Sequence, residues 1–469
     1  MRQPWRVAVV GGGIAGLAAA VRLRDRAPAD TEITVYEQSG ALGGKLRTGE
    51  LAGQPVEFGA ESFLVRDPAG GESAALTLVR RLGLAGQVVH PTVGRAAVAV
   101  DGGLRPIPGG TLVGVPGDLA AVATVARPDA DADRDEGRPL LDPDVDVAVG
   151  ALVRRRLGDE VVDRLVDPML GGVYAGRADD LSLATTMPAL AHAARTAHTL
   201  TGAVRAAQAA APRAPGAPVF ATVAGGLSRL VEAAAAASGA TIRQHAAVRE
   251  LTRVAGGWRL TVGPTREPEH VEVDAVVLAV PARPAARLLA PTDPDAATTV
   301  GALDYAGVAL VTLVLPAPDL PELSGFLVPA TEGLSIKAST FFTTKWGHLR
   351  RPDGSALLRA SVGRYGDETQ LHRPDADLAA TAHREVSGVL GTTLPDPVAG
   401  HVQRWGGALP QYTPGHLDRV AGVRAALRRA HPTLTLAGAG YDGVGIPVCV
   451  RSGETAADEI ITALGGAGS

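Results

Sequence analysis

The sequence is poor in cysteine, lysine and aromatic residues: one cysteine (Cys449), three lysines (Lys45, Lys337, Lys345) and 3% Phe, Trp and Tyr in 469 residues. A lone cysteine excludes an internal disulfide and any cysteine-rich metal or iron–sulfur site, and it suits a reducing compartment, the cytoplasm. The formal net charge is only −4, and no Lys/Arg run is interleaved with aromatics, so nothing here gathers nucleic acid. Apolar runs such as residues 307–315 end at Pro316, far short of the ~20 residues of a spanning helix. The amino terminus has no charged region followed by an apolar signal stretch, so secretion is not expected and any membrane contact is peripheral. Nucleophile elbow, HExxH and paired-cysteine motifs are missing, and His348, His401 and His416 stand isolated, which reads as structural.

What is present begins with mass. At 47.7 kDa, with 46% hydrophobic and 20% charged residues, the chain is an ordinary globular one. A prior of about 150 residues per domain suggests two or three domains. The most informative stretch is residues 7–20, VAVVGGGIAGLAAA. A β-branched run ends in Gly11-x-Gly13-x-x-Gly16 and opens into an alanine-rich helix, the strand, tight turn and helix of a Rossmann-type dinucleotide fold. Gly11 suits the turn, Gly13 lets the main chain approach a pyrophosphate, and Gly16 lets helix and strand pack closely. The N–H groups of the first helical turn face the phosphates, with Gly12, Ile14 and Ala15 in the same segment. The next strand, residues 32–37, ends at Glu37, placed to accept hydrogen bonds from an adenosine ribose. FAD and NAD share this half-site, so these residues leave the dinucleotide open.

Further on, residues 39–48 form a glycine-rich loop carrying Lys45. It lacks the first glycine and the final Ser/Thr of an NTPase phosphate loop, so it reads as a second contact to the same dinucleotide. Residues 57–63 read as a strand-end turn around Gly59. Residues 76–82 look helical, residues 127–146 look like a polar, mobile loop, and the segments 146–165 and 190–211 show helical spacing broken at residues 167–176. The apolar run 274–280 reads as a buried parallel strand, residues 305–315 and 356–362 as a second sheet, and residues 434–440 as a strand leading through a glycine-rich turn to a terminal helix over 451–464.

Gly11 to Gly16, Gly43-Gly44-Lys45, residues 59–63 (GAESF), Asp167-Pro168 with residues 172–176 (GVYAG), residues 225–227 (GGL), Trp405 with residues 409–412 (LPQY), Gly415-His416 and residues 443–447 (GVGIP) stand in one order. The chain resembles, from end to end, the FAD-dependent protoporphyrinogen and coproporphyrinogen oxidases. The carboxy-terminal motif is similar to the Gram-positive, coproporphyrinogen-type branch, from which it departs at Val448, where that branch commonly has Asp. The resemblance implies an α/β protein with an amine oxidase-like FAD-binding domain (residues 1–65, 219–290 and 403–469), a substrate-binding α+β domain (66–91 and 291–402) and a mostly helical insertion (92–218). It implies FAD contacts at Gly11, Gly12, Gly13, Ile14, Ala15, Gly16, Glu37, Gln38, Lys45, Gly59, Ala60, Glu61, Ser62, Val248, Trp405, Val444, Gly445 and Ile446. Arg66 and Gly172 would lie nearer the substrate.

The implied reaction is six-electron oxidation of coproporphyrinogen III in haem biosynthesis, with O2 as acceptor, hydrogen peroxide as by-product and possible hand-over to other haem-pathway enzymes. The flavin carries that chemistry, so no dedicated acid–base pair is expected. Arg47, Arg66, Lys337 and Lys345 are candidate partners for substrate propionates. Cys449 reads as a packed small hydrophobe, and Trp405 as either a neighbour of the flavin ring or plain core. Protoporphyrinogen IX as substrate, a flavin amine oxidase or desaturase, and a non-catalytic flavin- or porphyrin-binding protein are the alternatives.

Overall fold

A computed structural model describes residues 4–67, 70–211 and 216–466. Strand Arg6–Val10 sits at the centre of a five-stranded parallel sheet, ordered Thr241–Arg243, Glu32–Tyr36, Arg6–Val10, Ala275–Leu278, Leu434–Leu436. Residues 7–10 and 275–278 are buried throughout, the apolar run of strands covered on both faces. Helices Ile14–Arg26, Ser228–Ser238 and Ile446–Gly466 pack on one face. Ala282–Leu289, Pro294–Gly301 and His416–Ala430 pack on the other. The chain returns to this sheet twice after long excursions, as the runs at 274–280 and 434–440 lead one to expect.

The second sheet has seven strands, ordered Ala399–Pro410, Tyr305–Leu315, Ala356–Val362, Ile336–Phe341, Gly325–Leu327, Ala97–Val100, Gly103–Pro106. Helix Asp375–Leu390 covers one face, packing Leu378, Ala382 and Val386 against Val311, Leu358 and Val362. A third core is made by the helices between Val149–Leu157 and Leu200–Ala210.

Four expectations change. Residues 127–146 are pinned rather than free: Asp133 accepts from the N–H groups of Leu200 and Thr201 (2.6 and 2.9 Å), and Asp146 from Ser182 Oγ and Gly415 N (2.6 and 2.8 Å). Leu140 and Leu141 are buried beneath. The polar composition serves as helix caps, which composition cannot show. Residues 167–176 do not break the helical block, because Asp167–Tyr174 is itself helical and follows a π-type turn. The terminal helix starts at Ile446, since Pro447 fits a first turn. Finally, Ala97–Val100, Gly103–Pro106 and all of Ala399–Pro410 join the second sheet, across the boundaries expected at residues 92 and 403. We therefore propose a division that moves those strands into the substrate-side unit.

Candidate cofactor cleft and substrate chamber

Two helix starts and two glycine loops meet at one cleft. Gly11 has φ +111°, and a Cβ there would stand 2.5 Å from Ala279 O; one at Gly16 would stand 2.0 Å from Gly11 O. Both positions are closed to side chains by backbone, which no rotamer change relieves. Gly13 differs: a Cβ would meet nothing within 4 Å. That open space faces the start of helix Ile14–Arg26, whose N-cap is Gly13 with no side-chain cap and whose first turn has no acidic residue. Its N–H groups want an acceptor.

Gly43 N bonds Gly12 O (2.8 Å), which lays the second glycine loop alongside the first. From that loop Lys45 enters the interior, where burial lowers its pKa. Among the described residues its ammonium has no hydrogen-bond or ion-pair partner. Glu37 accepts from Gly12 N (2.9 Å) through one oxygen and from Ser39 N (2.8 Å) through the other, leaving lone pairs on both for hydroxyl groups. Ala246 N bonds Glu37 O (2.9 Å), so Val248, half-buried, comes to the same end; Gln38 is exposed there.

The second helix start closes the cleft. A Cβ at Gly453 would stand 2.0 Å from Ala15 O, so Ile446–Gly466 crosses Ile14–Arg26 in direct contact near both amino termini. The turn before it, with Val444 and the exposed Gly445, is held by Asp442. That carboxylate takes both Arg424 nitrogens at 2.7 Å and Ser452 Oγ at 2.6 Å, and Ser452 in turn accepts from Gly438 N (3.0 Å). Burial pushes the Asp442 carboxyl up, but Arg424 and Ser452 hold it below its ordinary value. Cys449, pushed up to about 11 by burial, lies against the carbonyls of Gly443 and Val444. It is a packed thiol, as expected.

An unpartnered lysine, an uncapped helix start with a second helix start crossing close by, an open glycine cradle and a carboxylate with spare lone pairs fit a pyrophosphate-bearing dinucleotide. The segment 57–61, which follows on from strand Gln54–Glu57, then leads from this cleft across the second sheet. Phe58 stacks on His401 (4.0 Å between rings), Trp405 Nε1 donates to Phe58 O (2.7 Å), and Arg359 donates to Glu57 O and Gly59 O (3.2 and 2.9 Å). Glu61 receives Arg359 (2.6 Å) and Lys345, which hold its carboxyl below the ordinary range despite burial. Gly59, Ala60, Glu61 and Ser62 are thereby fixed beside Trp405, with the Glu61 side chain fully engaged.

Segment 57–61 covers only part of that sheet face. The next row over runs Gln403, Leu310, Ser361, Ala338, Leu327, each the register partner of the next. All five are half-buried, while residues on the opposite face are packed under Asp375–Leu390. Five strands make this floor ~19 Å wide. Gly172 and Val173, exposed at the end of helix Asp167–Tyr174, form its side: a Cβ at Gly172 would stand 3.3 Å from Leu327. None of the floor residues is visible in the sequence as a site; the one trace is the alternation within residues 356–362.

The four expected propionate partners divide. Lys345 is spent on Glu61, and Lys337 is 4% exposed and donates to Gly171 O (3.0 Å), so neither faces a substrate. Arg47 and Arg66 are exposed. Arg66 adjoins Asp67, which pairs with Arg451 on the carboxy-terminal helix. His401 and His416 are structural, the latter buried with Nε2 on Tyr441 O (2.9 Å). A cavity of about 300 Å³ lies apart, on the side of helix His416–Ala430, lined by Asp304, Tyr365, Gln411 and Tyr441 but by no floor or crossover residue. Among the described residues no cluster could hold a metal and no helix is long and apolar enough to cross a membrane.

Fold and cleft together define a dinucleotide-binding protein of the doubly wound type. The flavin containing amine oxidoreductase family matches residues 14–461, and the chain belongs to that family; it is an FAD-dependent oxidoreductase. Within it the chain is similar to proteins named coproporphyrinogen III oxidase: one from Mycobacterium tuberculosis (strain ATCC 25618 / H37Rv), 40% identical with 98% of each chain covered, and one from Bacillus subtilis (strain 168), 31% identical with 98% of each covered. A crystal structure from Exiguobacterium sp. 255-15 superposes with a TM-score of 0.82 at 31% identity, covering 98% of this chain and 100% of that one.

Proposed function

We propose that this protein oxidises coproporphyrinogen III to coproporphyrin III in haem biosynthesis, with O2 as electron acceptor and hydrogen peroxide as by-product. Bound FAD supplies the redox chemistry, accepting electrons two at a time. The chain's residues bind and orient. Gly13, Lys45 and the starts of the two crossing helices take the pyrophosphate, Glu37 takes the ribose, and segment 59–62 with Trp405 and residues 444–446 frames the ring. The observation that carries the reading is the half-buried five-residue row beside that segment, a floor of small and apolar side chains edged by Gln403 and wide enough for a tetrapyrrole. Ala338 and Ser361 at its centre leave room where larger residues would fill it. Arg47 and Arg66 are exposed cations that suit propionates.

Purified protein should be yellow, and adding coproporphyrinogen III in air should produce porphyrin fluorescence at a rate well above that with protoporphyrinogen IX, which has two propionates instead of four. Faster turnover of protoporphyrinogen IX would reassign the substrate. Flavin binding without fluorescence gain on either would point to a binding protein, and oxidation of amines alone to an amine oxidase.

A further inference from the structure

Strand Ile336–Phe341 contains one residue more than its neighbour can pair: Ile336 faces Val362 and Ala338 faces Ser361, so Lys337 is a bulge. Bulges re-aim side chains. Here Ile336 packs beneath the sheet while the floor residue Ala338 lies on the chamber face, and the extra residue reaches the carbonyl of Gly171 (3.0 Å). The same carbonyl takes Ala175 N (2.9 Å) at the left-handed end of helix Asp167–Tyr174 (φ 51°). A cation at a helix carboxy terminus is favourable, yet this one is buried without a carboxylate.

The charged groups around it are all otherwise engaged. On the neighbouring strand Arg359 serves Glu61 and Gly59; just after it Arg364 donates to the carbonyls of Leu334, Val328 and Ile336. Glu385, from the helix below, accepts from Ile336 N, and Asp167 accepts from Ala178 N. Burial and the two arginines lower Lys337 to about 7. The rest of the helix end is strapped by neutral groups: Gln411 Nε2 donates to Tyr174 O (2.8 Å) and Tyr365 N to Ala175 O (2.6 Å). Gly172 and Val173, between these anchors, are the exposed wall of the chamber.

We propose that Lys337 is a positioning residue for the porphyrinogen reaction: its ammonium tethers Gly171 and so holds Gly172 and Val173 at the height above the floor that a bound tetrapyrrole requires. This rests on the function proposed above. A buried, unpaired cation is a poor way to stabilise a sheet, so the tether and the stability of the fold separate under mutation.

Lys337→Met should keep or raise the melting temperature while KM for coproporphyrinogen III rises about tenfold, the loss of one charged hydrogen bond, with kcat within about twofold. In wild type KM should rise as pH passes upward through 7 and the tether weakens; in Lys337→Met that dependence should vanish. Hydrogen exchange at the amides of residues 173–175 should quicken in the variant, a readout that needs no turnover. Unchanged KM and unchanged exchange would overturn the proposal, as would a fall in melting temperature with kcat and KM affected alike, which is what a purely structural lysine would give. Should wild type oxidise no porphyrinogen, the proposed function fails, and the exchange measurement still decides whether Lys337 holds the helix end.

Discussion

The cofactor cleft and the substrate chamber are built by different means. In the cleft, main chain meets main chain: Gly16 against Gly11 O, Gly453 against Ala15 O, uncapped N–H groups facing open space. In the chamber, side chains from distant segments hold one another: Glu61 with Lys345 and Arg359 across nearly 300 positions, Lys337 with Gly171 across 166. The contrast teaches where each region is vulnerable. A cleft made of backbone fails sterically, whereas a chamber made of buried charges fails electrostatically.

The sharpest way to break the comparison is Gly16→Val. Its Cβ would stand about 2.0 Å from a carbonyl oxygen that cannot move aside, so a cost above ~3 kcal/mol and colourless or unfolded protein are expected, read by flavin absorbance and thermal unfolding. Glu61→Gln comes next. It leaves two buried cations with a half-satisfied partner and should cost ~3–5 kcal/mol in urea unfolding without preventing flavin binding; a cost under 1 kcal/mol would mean that the chamber does not depend on paired charge.

Asp442→Asn tests a place where the cleft relies on side chains. Weakening the Arg424 and Ser452 bonds should release the turn at residues 438–445 and lower FAD affinity roughly tenfold, by ~1.4 kcal/mol. An unchanged affinity in flavin titration would show that backbone alone shapes that turn.

Two further effects concern pH. Glu57 accepts Leu227 N (2.5 Å) and Thr48 Oγ1, yet burial pushes it up to about 7. A carboxyl whose folded pKa exceeds its unfolded one holds an extra proton in the folded state. Its contribution is therefore full below about 4.5 and is lost as pH rises to about 7. Lys337, lowered from 10.5 to about 7, has the opposite sign: the unfolded chain holds the extra proton in that window, so stability rises with pH across it. Unfolding followed against pH should show the falling limb disappear in Glu57→Gln and the rising limb disappear in Lys337→Met.

How much of this was legible follows the same division. The strand, turn and helix around residues 11–16 and the next strand leading to Glu37 could be read because a strand-to-helix crossover demands particular residue types at short, fixed spacing. The floor of Leu310, Ser361, Ala338 and Leu327 could not, because ordinary small and apolar residues on four strands become a site only through register. Lys337 and Lys345 misled for a related reason. As free cations they suit propionates, but their protons are spent on Gly171 O and Glu61, partners far away in the chain. The polar stretch 127–146 was misjudged likewise, since Asp133 and Asp146 find helix starts and a loop to cap only after folding.

By itself, then, the amino-acid sequence determined the class of this protein, a dinucleotide-binding fold with a second domain, because glycine placement and strand-to-helix order act within a few residues of one another; the flavin came with the order of the family's motifs along the whole chain. The tertiary structure alone decided which carboxylates and lysines are spent internally, where the strands of the second sheet fall in register, and which half of its face stays open. Those outcomes depend on contacts between segments hundreds of residues apart, where local composition exerts no control.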